Sequence, residues 1–143
     1  MPSSLPATAA ERLALARVGR LATVTAVGRP HIVPVCFAIL HGRIYTAVDH
    51  KPKTTQALAR LDNVAATGRA SLLVDHYEED WSRLWWVRAD GPAVVLRGGS
   101  EREEALDALV AKYDQYRSAR PSGPVIRLQP ETWRSWPAIP SGT

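Results

Sequence analysis

Residues 20–48 read RLATVTAVGRPHIVPVCFAILHGRIYTAV, and this stretch decides the fold. β-Branched and apolar residues predict three strands, over residues 20–26, 31–40 and 44–48. The segments between them, VGRP and HGR, combine glycine with polar residues and predict tight turns. Strands that follow one another through such short turns pair antiparallel, because a parallel pair needs a much longer crossover.

The flanking sequence adds helices and further strands. Helical signals predict three helices, over residues 8–18, 54–61 and 100–116. More strands are predicted over residues 64–74, 84–96 and 125–129, and residues 130–136 are predicted to form a helical turn. Consecutive strands with helices at the margins indicate a mainly β fold, an antiparallel barrel with peripheral helices. We expect one domain over residues 1–143, with its core at about residues 8–136.

The composition is that of an ordinary globular chain with mild positive charge. Hydrophobic residues make up 45% and charged residues 22% of the 143 residues, and the net charge is +4. Because the arginines are scattered, the charge does not require nucleic acid, and a phosphorylated small molecule or ordinary surface charge explains the same excess. The single cysteine, Cys36, excludes an internal disulfide framework, and no apolar run approaches the ~18 residues that span a membrane. The first residues lack the pattern of a secretory signal, so we expect a cytoplasmic protein.

No motif of the common catalytic families is present. The sequence contains no GxSxG, HExxH, GxxxxGK[ST] or Rossmann glycine pattern. The histidines are too dispersed to predict a metal site; they are His31, His41, His50 and His76. The sequence therefore leaves the catalytic residues unknown.

The segment DHKPKTTQAL, residues 49–58, carries the strongest local signal for a ligand. It lies between a predicted strand end and a predicted helix start, where free amides and the helix dipole favour an anion. Lys51 and Lys53 add positive charge, and Thr54 or Thr55 adds a hydroxyl donor. These groups predict a phosphate site. A solvated basic loop followed by an ordinary threonine cap explains the same residues.

A second notable segment is LLVDHYEEDWSRLWWVRADG, residues 72–91. An acidic, aromatic loop separates two predicted strands, and Trp85 and Trp86 then point to opposite faces of the second strand. One indole is therefore expected in the core, while the other meets a partner subunit or a planar ligand. Five tryptophans and exposed barrel faces are consistent with a homodimer.

Three segments together resemble a known superfamily: GRPHIVPVCF, YTAVDHKPKTTQALARLDNV and LLVDHYEEDWSRLWWVRADG. In order and spacing they are similar to the pyridoxamine 5′-phosphate oxidase-like split β-barrels, and within these to the actinobacterial branch that uses the deazaflavin coenzyme F420. The resemblance covers about residues 8–136. It implies a six-stranded antiparallel split barrel of the FMN-binding type that forms a homodimer, with cofactor sites between the subunits.

The resemblance also implies roles for particular residues. Basic residues after the third strand hold the cofactor phosphate, a role that carries onto Lys51 and Lys53 with Thr54 nearby. Five further positions correspond to cofactor contacts at strands, or to contacts from the other subunit; they are Thr46, the backbone at Pro34 and Val35, Trp86, and Arg88. Related sequences often have arginine where this chain has Lys51, and a lysine offers a point charge instead of a planar fork.

The implied chemistry is hydride transfer between the deazaflavin and a small conjugated or heteroaromatic substrate. Tyr45, Tyr77 and water are candidate proton donors. Two alternatives remain at this stage: an FMN-dependent oxidase or reductase of the same fold, and a non-catalytic protein that stores or carries F420. None of these interpretations involves a metal, a nucleic acid or a membrane.

Overall fold

The computed structural model describes residues 7–48 and 55–137, which form four helices, one 3-10 turn (Trp81–Arg83) and eight strands. The helices are α1 (Ala7–Leu15), α2 (Thr55–Thr67), α3 (Ser100–Lys112) and α4 (Asp114–Ser118). The strands are β1 (Gly19–Val24), β2 (Pro30–Val35), β3 (Ala38–Leu40), β4 (Arg43–Ala47), β5 (Arg69–His76), β6 (Trp85–Leu96), β7 (Val125–Leu128) and β8 (Thr132–Trp136).

All strand pairs are antiparallel, and their order is β2-β1-β5-β6-β7-β4-β3, with β8 also paired to β6. Strand β6 is long enough to belong to both halves of the barrel. Its first part pairs with β8 from Trp86 to Asp90, and its last part pairs with β7 from Ala93 to Leu96. The predicted antiparallel split barrel with peripheral helices is confirmed, with eight strands in the described residues instead of six.

One extra strand arises because the strand predicted over residues 31–40 is divided in two. Strand β2 pairs with β1, whereas β3 pairs with β4 on the other side of the barrel. At Cys36 and Phe37, between the two strands, hydrogen bonds to side chains take the place of hydrogen bonds to a neighbouring strand. The Tyr113 hydroxyl accepts from the Phe37 amide and lies 3.1 Å from the Phe37 carbonyl oxygen, and the Thr46 hydroxyl donates to the Cys36 carbonyl oxygen at 2.7 Å.

The other extra strand is β8, where the prediction of a helical turn over residues 130–136 is wrong. Residues 132–136 form an extended strand that pairs antiparallel with β6, and Trp136 lies directly opposite Trp86. Cross-strand aromatic pairs of this kind stabilise a sheet. Tertiary pairing therefore determines the conformation here.

Helix α2 runs further than predicted, so the strand predicted from residue 64 begins only at Arg69. Val64 is 1% exposed on the buried side of this helix. Gly68 ends the helix in the left-handed region, with φ of 68° and its amide donating to the Val64 carbonyl oxygen at 2.8 Å. Glycine adopts this conformation without the steric cost that other residues pay.

The core has two parts. Inward side chains of the strands fill the barrel and meet Leu13 of α1 and Val64 of α2. A smaller cluster lies between Tyr45 of β4 and Leu106 and Leu109 of α3. In the part of the chain that is described, no helix combines the length and the apolar character that crossing a membrane requires.

Candidate functional site

The sheet made by β2, β1, β5, β6 and β8 has one side that the described part of the chain leaves uncovered; we call it the open face. Side chains alternate along each strand, and inward ones such as Leu21 and Val87 are at most 2% exposed. On the open face, Ile32 is 62% exposed and Trp136 is 50% exposed. These two residues lie at opposite edges of the face, on β2 and β8, so large apolar side chains are exposed across its whole width.

A row of cross-strand neighbours crosses the open face. It consists of Pro34, Arg20, Leu73, Arg88 and Arg134, each directly opposite the next. Three guanidinium groups therefore lie in one line across four strands, interrupted by a single leucine. Arginine is suited to such sites because its planar donors match carboxylate and phosphate oxygens.

Two carboxylates partly balance this row. Asp75 accepts from Arg20 at 3.0 Å, and Asp90 accepts from Arg88 Nε at 2.9 and 3.1 Å. Burial alone would raise the pKa of Asp90, but hydrogen bonds from Ser71 and Arg88 outweigh burial and lower the pKa below its usual value. The three guanidinium groups of the row therefore outnumber the two carboxyl groups paired with them by one.

The two adjacent tryptophans point to opposite sides of β6, as predicted. Trp85 packs against the barrel core. Trp86 lies on the open face, opposite Asp75 on β5 and Trp136 on β8. The open face thus carries an aromatic pair directly beside the arginine row.

The structure brings together three of the predicted cofactor residues. Pro34 and Arg88 belong to the same row, and Trp86 is two residues from Arg88 on the same strand face. The side chains of Val35 and Thr46 are buried, at 6% and 3% exposure. The Thr46 hydroxyl is bonded to the protein backbone, so it positions the end of β2.

The remaining predicted cofactor residues, Lys51, Lys53 and Thr54, lie outside the described residues. They occupy the chain between the end of β4 at Ala47 and the start of α2 at Thr55. The phosphate site stays a prediction for these positions.

Tyr45, a candidate proton donor, lies away from the open face. Its side chain is 2% exposed under α3, and its hydroxyl donates to Glu101 Oε2 at 2.8 Å. Burial, followed by the hydrogen bond to Glu101, raises the pKa of Tyr45 above its ordinary value. This tyrosine supports the packing of α3 on the barrel.

Sequence reasoning missed three residues of the open face: Arg20, Arg134 and Trp136. Arg20 begins a predicted strand, but its place in one row with Arg88 depends on a register that no local pattern contains. The run Thr132 to Trp136 has no period-two alternation of apolar and polar residues, since its two tryptophans are three positions apart, so its strand follows from pairing with β6.

Comparisons with known proteins agree with this architecture. A family profile described as pyridoxamine 5′-phosphate oxidase matches residues 5–137. No curated protein sequence gives a significant match.

Several solved structures are similar over nearly the whole chain. The conserved hypothetical protein Rv2991 from Mycobacterium tuberculosis superposes with a TM-score of 0.74 at 20% identity, over 99% of this chain and 94% of that one. An FAD-binding protein from Mesorhizobium loti gives 0.69 at 22% identity, over 92% and 94%. The haem storage protein HutZ from Vibrio cholerae gives 0.66 at 18% identity, over 88% and 89%. At these identities the similarity establishes a shared fold.

Proposed function

Because this chain belongs to the pyridoxamine 5′-phosphate oxidase family, we propose that it is a homodimeric F420-dependent oxidoreductase with the cofactor held against the open face. One observation carries the proposal. The open face joins exposed apolar and aromatic side chains to a line of three arginines, and the described part of the chain does not cover it. A planar cofactor with an anionic tail needs both kinds of surface.

The apolar part of the open face fits the ring of such a cofactor. Ile32 and Pro34 on β2 and Trp86 on β6 lie on the same face, with β1 and β5 between the two strands, and they present aliphatic and aromatic surface across that face. A second copy of the chain, packed face to face, would remove this surface and the bound ring from water. We assign the ring to this region, with the backbone at Pro34 and Val35 beside it.

The cationic part fits the anionic tail. Arg88 uses its Nε for Asp90, and its terminal nitrogens belong to the row that has one excess positive charge. Lys51, Lys53 and Thr54 immediately precede α2 in sequence, and we assign them to the cofactor phosphate. The donors present are therefore of the chemical kind that a phosphorylated deazaflavin requires.

When bound, the deazaflavin supplies the hydride-transfer chemistry. The protein then has to bind the cofactor, fix its orientation and exclude water, which explains why the sequence contains no catalytic triad. A small conjugated or heteroaromatic substrate would enter between the ring and the partner subunit.

Titration with coenzyme F420, FMN and haem in parallel tests the assignment. F420 should bind tightly, as followed by its fluorescence, and FMN and haem should bind at least about tenfold more weakly. Tight binding of FMN without F420 would replace the proposal by an FMN-dependent oxidase or reductase. Tight binding of haem alone would indicate a function like that named for HutZ.

A matched pair of variants tests the phosphate residues. The double variant Lys51→Ala/Lys53→Ala should weaken F420 binding at least about tenfold and leave the melting temperature unchanged, because charge-assisted hydrogen bonds to the phosphate are lost. Arg83→Ala/Arg97→Ala removes two exposed charges elsewhere and should bind like the wild type. Equal affinities in the two double variants would show that the phosphate lies elsewhere.

Turnover separates an enzyme from a carrier. Reduced F420 should be oxidised in the presence of at least one member of a panel of quinones, enones and tetrapyrroles. F420 binding without any oxidation would favour storage or transport. Light scattering during gel filtration should give the mass of two chains, and a monomer that binds F420 would contradict the subunit-interface site.

A further inference from the structure

A cavity of about 460 Å³ lies under α1, at the end of the sheet where β5 ends and β6 begins. It is on the other side of Trp85 from the barrel core, and we call it the α1 cavity. Six residues form most of its wall: Arg12, Leu15, Val18, Asp75, His76 and Trp85. Its volume is within the range typical of small-molecule sites.

The two opposite walls of the α1 cavity differ in chemistry. Trp85 and His76 stack with ring centroids 6.0 Å apart and an angle of 17° between their planes, which makes one wall flat and aromatic. Leu15 and Val18, which are 76% and 40% exposed, supply aliphatic surface on the helix side. Two such walls accommodate a flat ligand.

Arg12 supplies a cation that forms no ion pair within the described residues. Its guanidinium carbon lies 4.7 Å from the centre of the Trp85 ring, which fixes the group by a cation–π contact. The Nη1 atom is buried and has no hydrogen-bond partner among the described residues. A buried guanidinium nitrogen without an acceptor is costly, and an anion beside it would remove that cost.

The other charged groups of the wall have partners or face solvent. Asp75 is paired with Arg20 at 3.0 Å, and His76 Nε2 contacts Glu78 Oε2 at 2.5 Å. Arg17 donates to the Lys112 carbonyl oxygen at 2.6 Å, and Glu11, which also lines the cavity, is exposed to solvent. Arg12 is therefore the charged group of the wall whose buried nitrogen lacks an acceptor among the described residues.

From these contacts we infer that the α1 cavity is a binding site for a planar aromatic carboxylate, separate from the cofactor site of the open face. The ring packs beside the Trp85 and His76 side chains and against the aliphatic side of α1. The carboxylate reaches the guanidinium of Arg12, which is already oriented by the Trp85 ring. This assignment does not depend on which cofactor the open face binds.

Calorimetric titration of the purified chain with 2-naphthoate tests the inference. Naphthalene-2-carboxamide is the matched neutral ligand, because it keeps the ring and the shape and removes the charge. The carboxylate should bind at least about tenfold more tightly than the carboxamide, since hydrogen bonds to charged groups are the stronger ones. Equal affinity, or no binding of the carboxylate at millimolar concentration, would overturn the inference, and this comparison needs no variant.

Variants then locate the site. Arg12→Gln should weaken 2-naphthoate binding at least about tenfold and leave carboxamide binding almost unchanged. Arg97→Gln, which removes an exposed arginine outside the α1 cavity, should bind both ligands like the wild type. If Arg12→Gln retained the preference for the carboxylate, the anion would be bound elsewhere and the assignment would be wrong.

Discussion

Replacing Gly91 by alanine should destabilise the barrel strongly, because the chain connecting β7 to β8 passes directly against this residue. A methyl group at Gly91 would lie 2.0 Å from the carbonyl oxygen of Gln129 and 2.9 Å from the amide nitrogen of Glu131. Both contacts are to backbone, which cannot rotate away as a side chain can. Carbon–oxygen contacts normally begin near ~3.3 Å, so the connection would have to move by about 1.3 Å.

The size of the effect follows from what holds the connection in place. The Gln129 amide donates to the Pro92 carbonyl oxygen at 2.9 Å, and the Glu131 amide donates to the Asp90 carbonyl oxygen at 2.8 Å. Losing both hydrogen bonds costs about 1–3 kcal/mol, and forcing a methyl group into a packed site costs about 1–3 kcal/mol more. The entropic advantage of alanine over glycine, about 0.5–1 kcal/mol, offsets a small part. We expect a net loss of about 2–5 kcal/mol.

Thermal unfolding followed by circular dichroism, at one protein concentration, measures this loss. A destabilisation of about 2–5 kcal/mol should lower the melting temperature by roughly 6–20 °C in a domain of this size. Gly98→Ala is the matched control, because a methyl group there meets no atom within 4 Å and the backbone φ is not positive. If Gly91→Ala melted within about 2 °C of the wild type and of this control, the close approach would be refuted.

Three further predictions concern buried polar groups. Thr46→Val leaves the Cys36 carbonyl oxygen without its donor and should cost about 1–2 kcal/mol in urea unfolding, while Thr46→Ser should keep most of the stability. Burial lowers the pKa of Lys112 from 10.5 to about 8, so competitive acetylation at pH 8, read by mass spectrometry, should modify this amine ahead of a free lysine. Between about pH 8 and 10.5, the Lys112 amine keeps its proton in the unfolded chain but loses it in the folded chain. The free energy of unfolding should therefore rise with pH over this range, and Lys112→Met should flatten that rise. Tyr45 should ionise above the ordinary tyrosine range in an absorbance titration, and because burial also raises the pKa of Tyr113, Tyr45→Phe should remove one late step and leave the other.

The sequence predicts the strands well where apolar and polar residues alternate clearly and where the residues that form the turn lie directly between the two strands. Gly42, with φ of 74°, marks the turn between β3 and β4, and a turn at this point was expected from the sequence. The failures occur where a distant residue decides the conformation. The division at Cys36 and Phe37 depends on Tyr113, which is 76 positions from Phe37 in the chain, and β8 depends on Trp86.

The same contrast between local and distant determinants applies to the candidate site. Alternation along β6 is enough to place Trp86 and Arg88 on one face and Trp85 on the other. Adding Arg20 and Arg134 to that face requires the register of four strands, which local periodicity does not contain. The burial of Thr46 could not be predicted from the sequence either. Its hydroxyl donates to the Cys36 carbonyl oxygen, which lies at a bend that the sequence did not predict.

The prolines of β2 favour a particular geometry for the proposed dimer. This strand is at one end of the described strand order, so one of its edges is not paired in the sheet. Pro30 and Pro34 have no amide hydrogen. Ile32 lies two residues from each of them on β2, so the backbone nitrogens of all three residues point to the same edge of the strand. The amides at these three positions therefore point away from β1, and only the amide of Ile32 remains to pair with an added strand. An edge so poor in donors disfavours extension of the sheet by a second copy. The exposed side chains of the open face are the better contact, so the proposed dimer should pack face to face across the arginine row.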